Sequence, residues 1–235
     1  MKSLWTRQVR AMIGKEWRTE IRSRHGVMTA GLFSLLTVVT MALAGSTSLP
    51  APGLAAGIVC TALLFASIIS VPRTFIVEDE QGTIDLLNLL CHPSAAYFGK
   101  MVVGLVPTLL SGLMMTTVYV AMAGIPVERP VILALGAFLT CTSLATAISL
   151  CGALVVGATN KWVLAGVASM PLLVPTIFLS VGALRVAFGE GSIGSAYQCL
   201  VGLLGLTVCW GALGPVLTAV VWPRGSVPNQ TPKVE

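Results

Sequence analysis

The chain has 235 residues, of which 55% are hydrophobic and only 10% charged, and its 14 basic and nine acidic side chains leave a net charge of +5. A soluble domain usually carries about 25% charged residues, and a mean hydropathy of +0.90 leaves too little polar material for such a surface. The composition excludes a water-soluble enzyme or binding module and points to a single polytopic membrane domain.

In chain order, residues 2–25 pattern as an amphipathic helix. Trp5, Val9, Met12, Ile13, Trp17 and Ile21 spread over one half of the wheel, and Arg7, Lys15, Arg18 and Arg22 gather on the other. A helix of this kind lies in the headgroup plane against membrane lipid; the other reading is a basic topogenic leader that happens to be helical. We take 1–26 as this interfacial unit, 27–222 as the membrane domain and 223–235, rich in proline and polar residues, as a disordered tail.

Six apolar segments are each long enough for a bilayer core of about 30 Å: Val27–Ala44, Gly53–Val71, Met101–Ala123, Val131–Gly157, Trp162–Leu184 and Tyr197–Val221. None carries a charge near its centre, where one Lys, Arg or Asp costs about 2.5–3.5 kcal/mol on insertion. Their continuous hydrophobicity lacks the period-two alternation of barrel strands, so the expected fold is all-α. The first segment is not a cleavable signal, because a basic stretch of 26 residues precedes it and no A-x-A site follows. With a cytoplasmic N-terminus, 12 basic residues fall inside and only Arg129 and Arg185 outside. That bias places both termini in the cytoplasm. No aromatic-basic pattern accompanies the positive charge, so a nucleic-acid partner is not expected.

Between the second and third segments lies "VEDEQGTIDLLNLLCHP", Val77 to Pro93, which holds four of the nine acids. Gly82 supplies a turn, Thr83 is a candidate N-cap of a two-turn helix with Asp85 near its positive end, and Pro93 stops it. Leu86, Leu87, Leu89, Leu90 and Cys91 give this helix more apolar surface than a connecting loop leaves in water. Either its own membrane domain or another protein must cover it. His92 would close the short helix, favourably placed for its dipole.

Farther along, Pro171 and Pro175 each remove a backbone donor and are expected to kink the fifth segment, as a static bend or as a moving hinge. No P-loop is present, since Gly99-Lys100 lacks the upstream glycine. No other catalytic motif is visible, so the chain is not expected to be an enzyme. Its six cysteines, without a C-x-x-C, read as small apolar residues and not as metal ligands or disulfides. His25 and His92 are the only histidines, and no haem-ligating motif is visible.

The stretch "EDEQGTIDLLNLLCHPSAAYFGKM" resembles the loop between spans two and three of ABC-2-type permeases. "GATNKWVLAGVASMPLLVPTIFLSVGA", with Pro171-Leu172 and Pro175 before Ile177-Phe178, resembles the fifth-span signature of the haem exporter protein B family. The Cys91-His92 pair departs from that family's loop ending. The resemblance, which covers essentially the whole chain, implies the permease subunit of a cytochrome c maturation ABC complex. It implies two copies paired with two ABC ATPase subunits that bind the ATP, together with a haem-handling membrane subunit and a periplasmic haem chaperone. Haem is then cargo of the complex, and no cofactor is bound directly by this chain. By the same resemblance the leucine helix is a coupling helix that enters a cleft of the ATPase. Glu78, Glu80, Gly82, Thr83, Asp85, Leu86, Leu87, Leu90 and Pro93 form the coupling site, and its acids meet basic residues of the ATPase or of the N-terminal helix. Two alternatives stay open: an ABC-2 permease exporting a lipid, glycan or drug, and a scaffold of a haem-ligation complex that moves nothing.

Overall fold

A computed structural model describes residues 2–23, 25–44, 50–70, 73–83, 86–87, 90–156, 158 and 160–222. Among the described residues the regular elements are α-helices: α1 (Lys2–Ser23), α2 (His25–Ala44), α3 (Pro52–Ser70), α4 (Arg73–Glu80), α5 (Pro93–Ala123), α6 (Pro130–Leu154), α7 (Lys161–Ala187) and α8 (Ile193–Val221). Four of them, α5 to α8, are long and apolar enough to cross a membrane. The helices α2 and α3 occupy the positions of the first two apolar segments. The tail 223–235 lies outside the described residues.

Helix α6 is the hub, packed against α3, α4, α5, α7 and α8. Every residue from Thr140 to Ala153 is buried. A helix can be enclosed on all sides only if its side chains are short, and this stretch reads TCTSLATAISLCGA. Two of its hydroxyls bond across to α7: Thr140 donates to Ser180 Oγ at 2.9 Å, and Ser143 and Thr176 share a hydrogen bond of 3.4 Å. Cys141 sits where Gly112 of α5 leaves room, since a Cβ at that glycine would overlap its sulfur. The cysteines Cys60, Cys141 and Cys151 are buried and unpaired.

The outside of the bundle is as apolar as its core. Phe178, Val174, Met170, Val167 and Val163 of α7 point outward, as do Val201, Leu204, Val208, Val216 and Val220 of α8. Water cannot solvate a surface of that extent favourably, and acyl chains can. The chain is a multi-pass membrane protein.

Helix α5 begins at Pro93, so the apolar segment Met101–Ala123 is the later part of a helix of 31 residues and about 46 Å, and Lys100 lies inside that helix. The acidic run is itself helical: Glu78 and Glu80 belong to α4. Helix α7 continues through Pro171 and Pro175 without interruption, both prolines facing outward. At the far end of the bundle the loops after α5 and α7 are joined. Arg129 donates to the carbonyls of Val186 and Gly191 at 3.1 and 3.3 Å, and Gly189 and Gly191, at φ 101° and 111°, form the turn it grips.

Candidate functional site

The densest polar contacts gather at the opposite end, where α1, α4 and α5 meet. Lys100 of α5 has no exposed surface. Its Nζ lies 3.0 Å from Glu16 Oε1 of α1 and 2.6 Å from Glu78 Oε2 of α4. Lys15 of α1 closes the set, paired with the other oxygen of Glu78 and lying 3.6 Å from Glu16. Two cations and two carboxylates make a neutral tetrad, which is how buried charge is tolerated. Phe75 of α4 lies with its ring centre 5.6 Å from Lys100 Nζ, a cation–π contact. Burial by itself would raise the Glu78 carboxyl, but Lys100 and Lys15 outweigh it and hold the group below its ordinary 4.5. For Lys15 burial pulls downward, and Glu78 with Glu16 outweighs it, raising the amine above 10.5.

Around the tetrad is an apolar plug made of Met12, Phe75, Leu87, Ala96, Tyr97, Ala153 and Trp222. It draws on α1, α4, α5, α6, the residue that ends α8 and the segment after α4. Gly99 makes room for Met12, and Gly214 for the Tyr97 ring, since a Cβ at either position would collide. Trp222 donates its indole N–H to the Ala153 carbonyl at 3.0 Å. Helix α1 is thus docked on protein as well as amphipathic. Trp5 donates to Ser94 Oγ at 3.3 Å and stacks edge-on against Phe98, while the Gln8 side chain accepts from the His92 backbone at 3.5 Å.

Helix α4 ends in a Schellman motif. The Thr83 N–H donates to the Glu78 carbonyl at 3.0 Å and the Gly82 N–H to the Asp79 carbonyl at 3.1 Å, with Gly82 at φ 67°. The chain then turns into a helical segment in which Leu87 N–H bonds the Thr83 carbonyl and Cys91 N–H the Leu87 carbonyl. The Thr83 carbonyl thus takes a hydrogen bond of this segment, while its hydroxyl donates back to the Glu78 carbonyl at 3.1 Å.

The nine residues of the sequence-based site do not act alike. Leu86 and Leu90, one turn apart, are 57% and 67% exposed, whereas Leu87 is 8% exposed and belongs to the plug. Glu78 is buried in the tetrad, meeting the N-terminal helix, which was one of its two expected partners. Glu80 and Gly82 are exposed and Thr83 half-buried. Asp85 lies outside the described residues. Pro93 is buried as the first residue of α5, and His92 is its N-cap, its Nδ1 accepting from the Ser94 N–H at 3.4 Å. His92 thus begins the following helix instead of closing the preceding one. Sequence reasoning missed Lys15, Glu16 and Lys100; the available signal was the Pro93 helix start, which places Lys100 on a helix two turns in.

Among the described residues no group of three His, Cys, Asp or Glu could hold a metal ion. No curated protein matches the chain. The family profile described as CcmB protein, that of the haem exporter protein B family, matches residues 7–220, nearly the whole chain, which therefore belongs to that family.

Proposed function

We propose that this protein is the permease subunit of an ABC complex in cytochrome c maturation, with ATP bound and hydrolysed by a separate subunit. The observation that carries the reading is the split of one helical turn: Leu86 and Leu90 outward, Leu87 inward. Two leucines held out on a rigid turn form a docking surface, and the third ties that turn to α1, α5 and α6. A push on Leu86 and Leu90 is then delivered through the plug and the tetrad to the bundle. In this reading α2 and α3 complete six crossings, both termini are cytoplasmic and haem is the cargo of the complex. Two copies pair with two ATPase subunits, and a haem-handling membrane subunit and a periplasmic chaperone complete the assembly.

The test is capture of an ABC ATPase subunit from the same organism, co-produced with this protein. Leu86→Asp and Leu90→Asp should leave insertion and yield intact and abolish co-purification, because a carboxylate cannot be paired in an apolar contact. Full capture by both variants refutes the docking surface. Stimulation of the captured ATPase by lipid, glycan or drug, and not by haem chaperone, would favour the export alternative.

A further inference from the structure

We infer that the outward face of α1 is a binding site for the phosphates of anionic phospholipids; the inference deepens the proposed membrane placement and rests on it. Met12 and Glu16 mark the face of α1 buried against protein. At 100° per residue, Arg7, Arg10 and Arg18 fall within about 60° of the opposite direction, with Trp17 on the same side. All four are exposed. The three arginines make no ion pair among the described residues, whereas Lys15, on the flank, is turned in to Glu78.

Depth decides what this row meets. The contacts of α1 fall at the start of α5: Trp5 on Ser94 and Phe98, Met12 on Gly99, Glu16 on Lys100. Helix α5 is about 46 Å long against a hydrocarbon core of about 30 Å, so those first turns stand in the headgroup layer. A helix lying there with one face on α5 directs the opposite face sideways, into the surrounding headgroups. Guanidinium groups match phosphate by bidentate hydrogen bonds, and Trp17 suits the boundary. A zwitterionic headgroup offsets its phosphate with its own ammonium, so an anionic lipid is preferred. Each arginine near such a surface contributes about fivefold in affinity.

The experiment uses the full chain in nonionic detergent and counts retained lipid by native mass spectrometry, with phosphatidylglycerol and phosphatidylcholine of equal chain length as probes. Wild type should retain phosphatidylglycerol preferentially, and inorganic phosphate should not displace it. The triple change Arg7→Gln, Arg10→Gln, Arg18→Gln should abolish the preference, the matching Arg→Lys triple should largely keep it, and Arg185→Gln at the far end should not alter it. An unchanged preference in the Gln triple overturns the inference. So does loss of ATPase capture by the Gln triple with lipid preference intact, which would give this face to a protein partner. Neither result touches docking through Leu86 and Leu90, which the aspartate variants report separately.

Discussion

Lys100 Nζ stands 2.6 Å from Glu78 Oε2 with no solvent at the lysine, so α5 and the short helix preceding the docking turn are joined by a dry ion pair. Glu16 binds the same lysine from α1. Three helices therefore share one cation, and the segment carrying Leu86 and Leu90 is tied to it through the Thr83 hydrogen bonds to the Glu78 carbonyl.

The first prediction is a double-mutant cycle on that pair. Lys100→Met leaves Glu16 and Glu78 buried with only Lys15 to balance them, a loss of about 3–5 kcal/mol. Glu78→Gln/Lys100→Met removes both charges and should be clearly less destabilised than the sum of the single changes. Thermal unfolding in mild detergent reads this. Simple additivity would mean that the two residues do not interact.

The second prediction is the pH dependence of the junction. The Glu78 carboxyl is depressed below 4.5, so its contribution is fully present above that value and is lost as pH falls through the lower, folded value. The Lys15 amine is raised above 10.5, so its contribution is present below that value and lost as pH rises through the higher, folded one. Facing these groups are Glu16 and Lys100. Stability against pH should hold level between those limits, and Glu78→Gln should remove much of the acid-side loss below pH 4.5. An identical acid limb in wild type and variant would contradict the assignment.

The third prediction sorts the leucines. Leu87→Ala should cost about 2–5 kcal/mol, as a buried leucine does, whereas Leu86→Ala and Leu90→Ala should stay within about 0.5 kcal/mol, as surface changes do. Sequence alone gave the three residues one role, and equal losses at all three would restore that view.

What the sequence made legible was set by range. Apolar runs are local, and the expected Trp162–Leu184 differs from α7 (Lys161–Ala187) by only a few residues. Gly82 was legible as a turn because a positive φ leaves few other choices. The tetrad was not, because Glu16 and Lys100 lie 84 residues apart and no local pattern links them. Counting charge to place a membrane boundary also assumes that a lysine wants water. Lys100 has two carboxylates in place of water, so a charge count does not show that it is buried inside a helix. The same logic hid Leu87, since helical periodicity shows that a leucine faces one way but not which face the fold takes.

The fourth prediction concerns topology. In a cysteine-free variant, single cysteines at Glu128 and Gln81 stand at opposite ends of the bundle. Impermeant maleimide applied to intact cells should label Glu128→Cys and reach Gln81→Cys only after permeabilisation. Labelling of Gln81→Cys from outside would invert the arrangement and place Leu86 and Leu90 beyond the reach of an ATPase.

The last prediction separates transmission of work from carriage of haem. If the chain carries haem by ligation, iron needs a donor, and its histidine and cysteine donors are His25, His92 and the six cysteines. In the fold Cys60, Cys141 and Cys151 are enclosed by helices, and His92 already serves as the α5 cap through Nδ1. Changing every cysteine to Ala, His25 to Gln and His92 to Asn, which keeps an acceptor at the cap, should therefore leave maturation of c-type cytochromes largely intact. Lys100→Met and Glu80→Lys should lower it severalfold, the first by loosening the junction and the second by reversing charge beside the docking turn. The assay is haem-stained cytochrome c in a strain lacking its own copy, with the variant's membrane level checked by immunoblot. Loss of maturation on changing Cys91 or His92 alone, at normal protein level, would turn the reading towards carriage. Full maturation with Lys100→Met at normal level would show that the tetrad holds the fold without passing force through it.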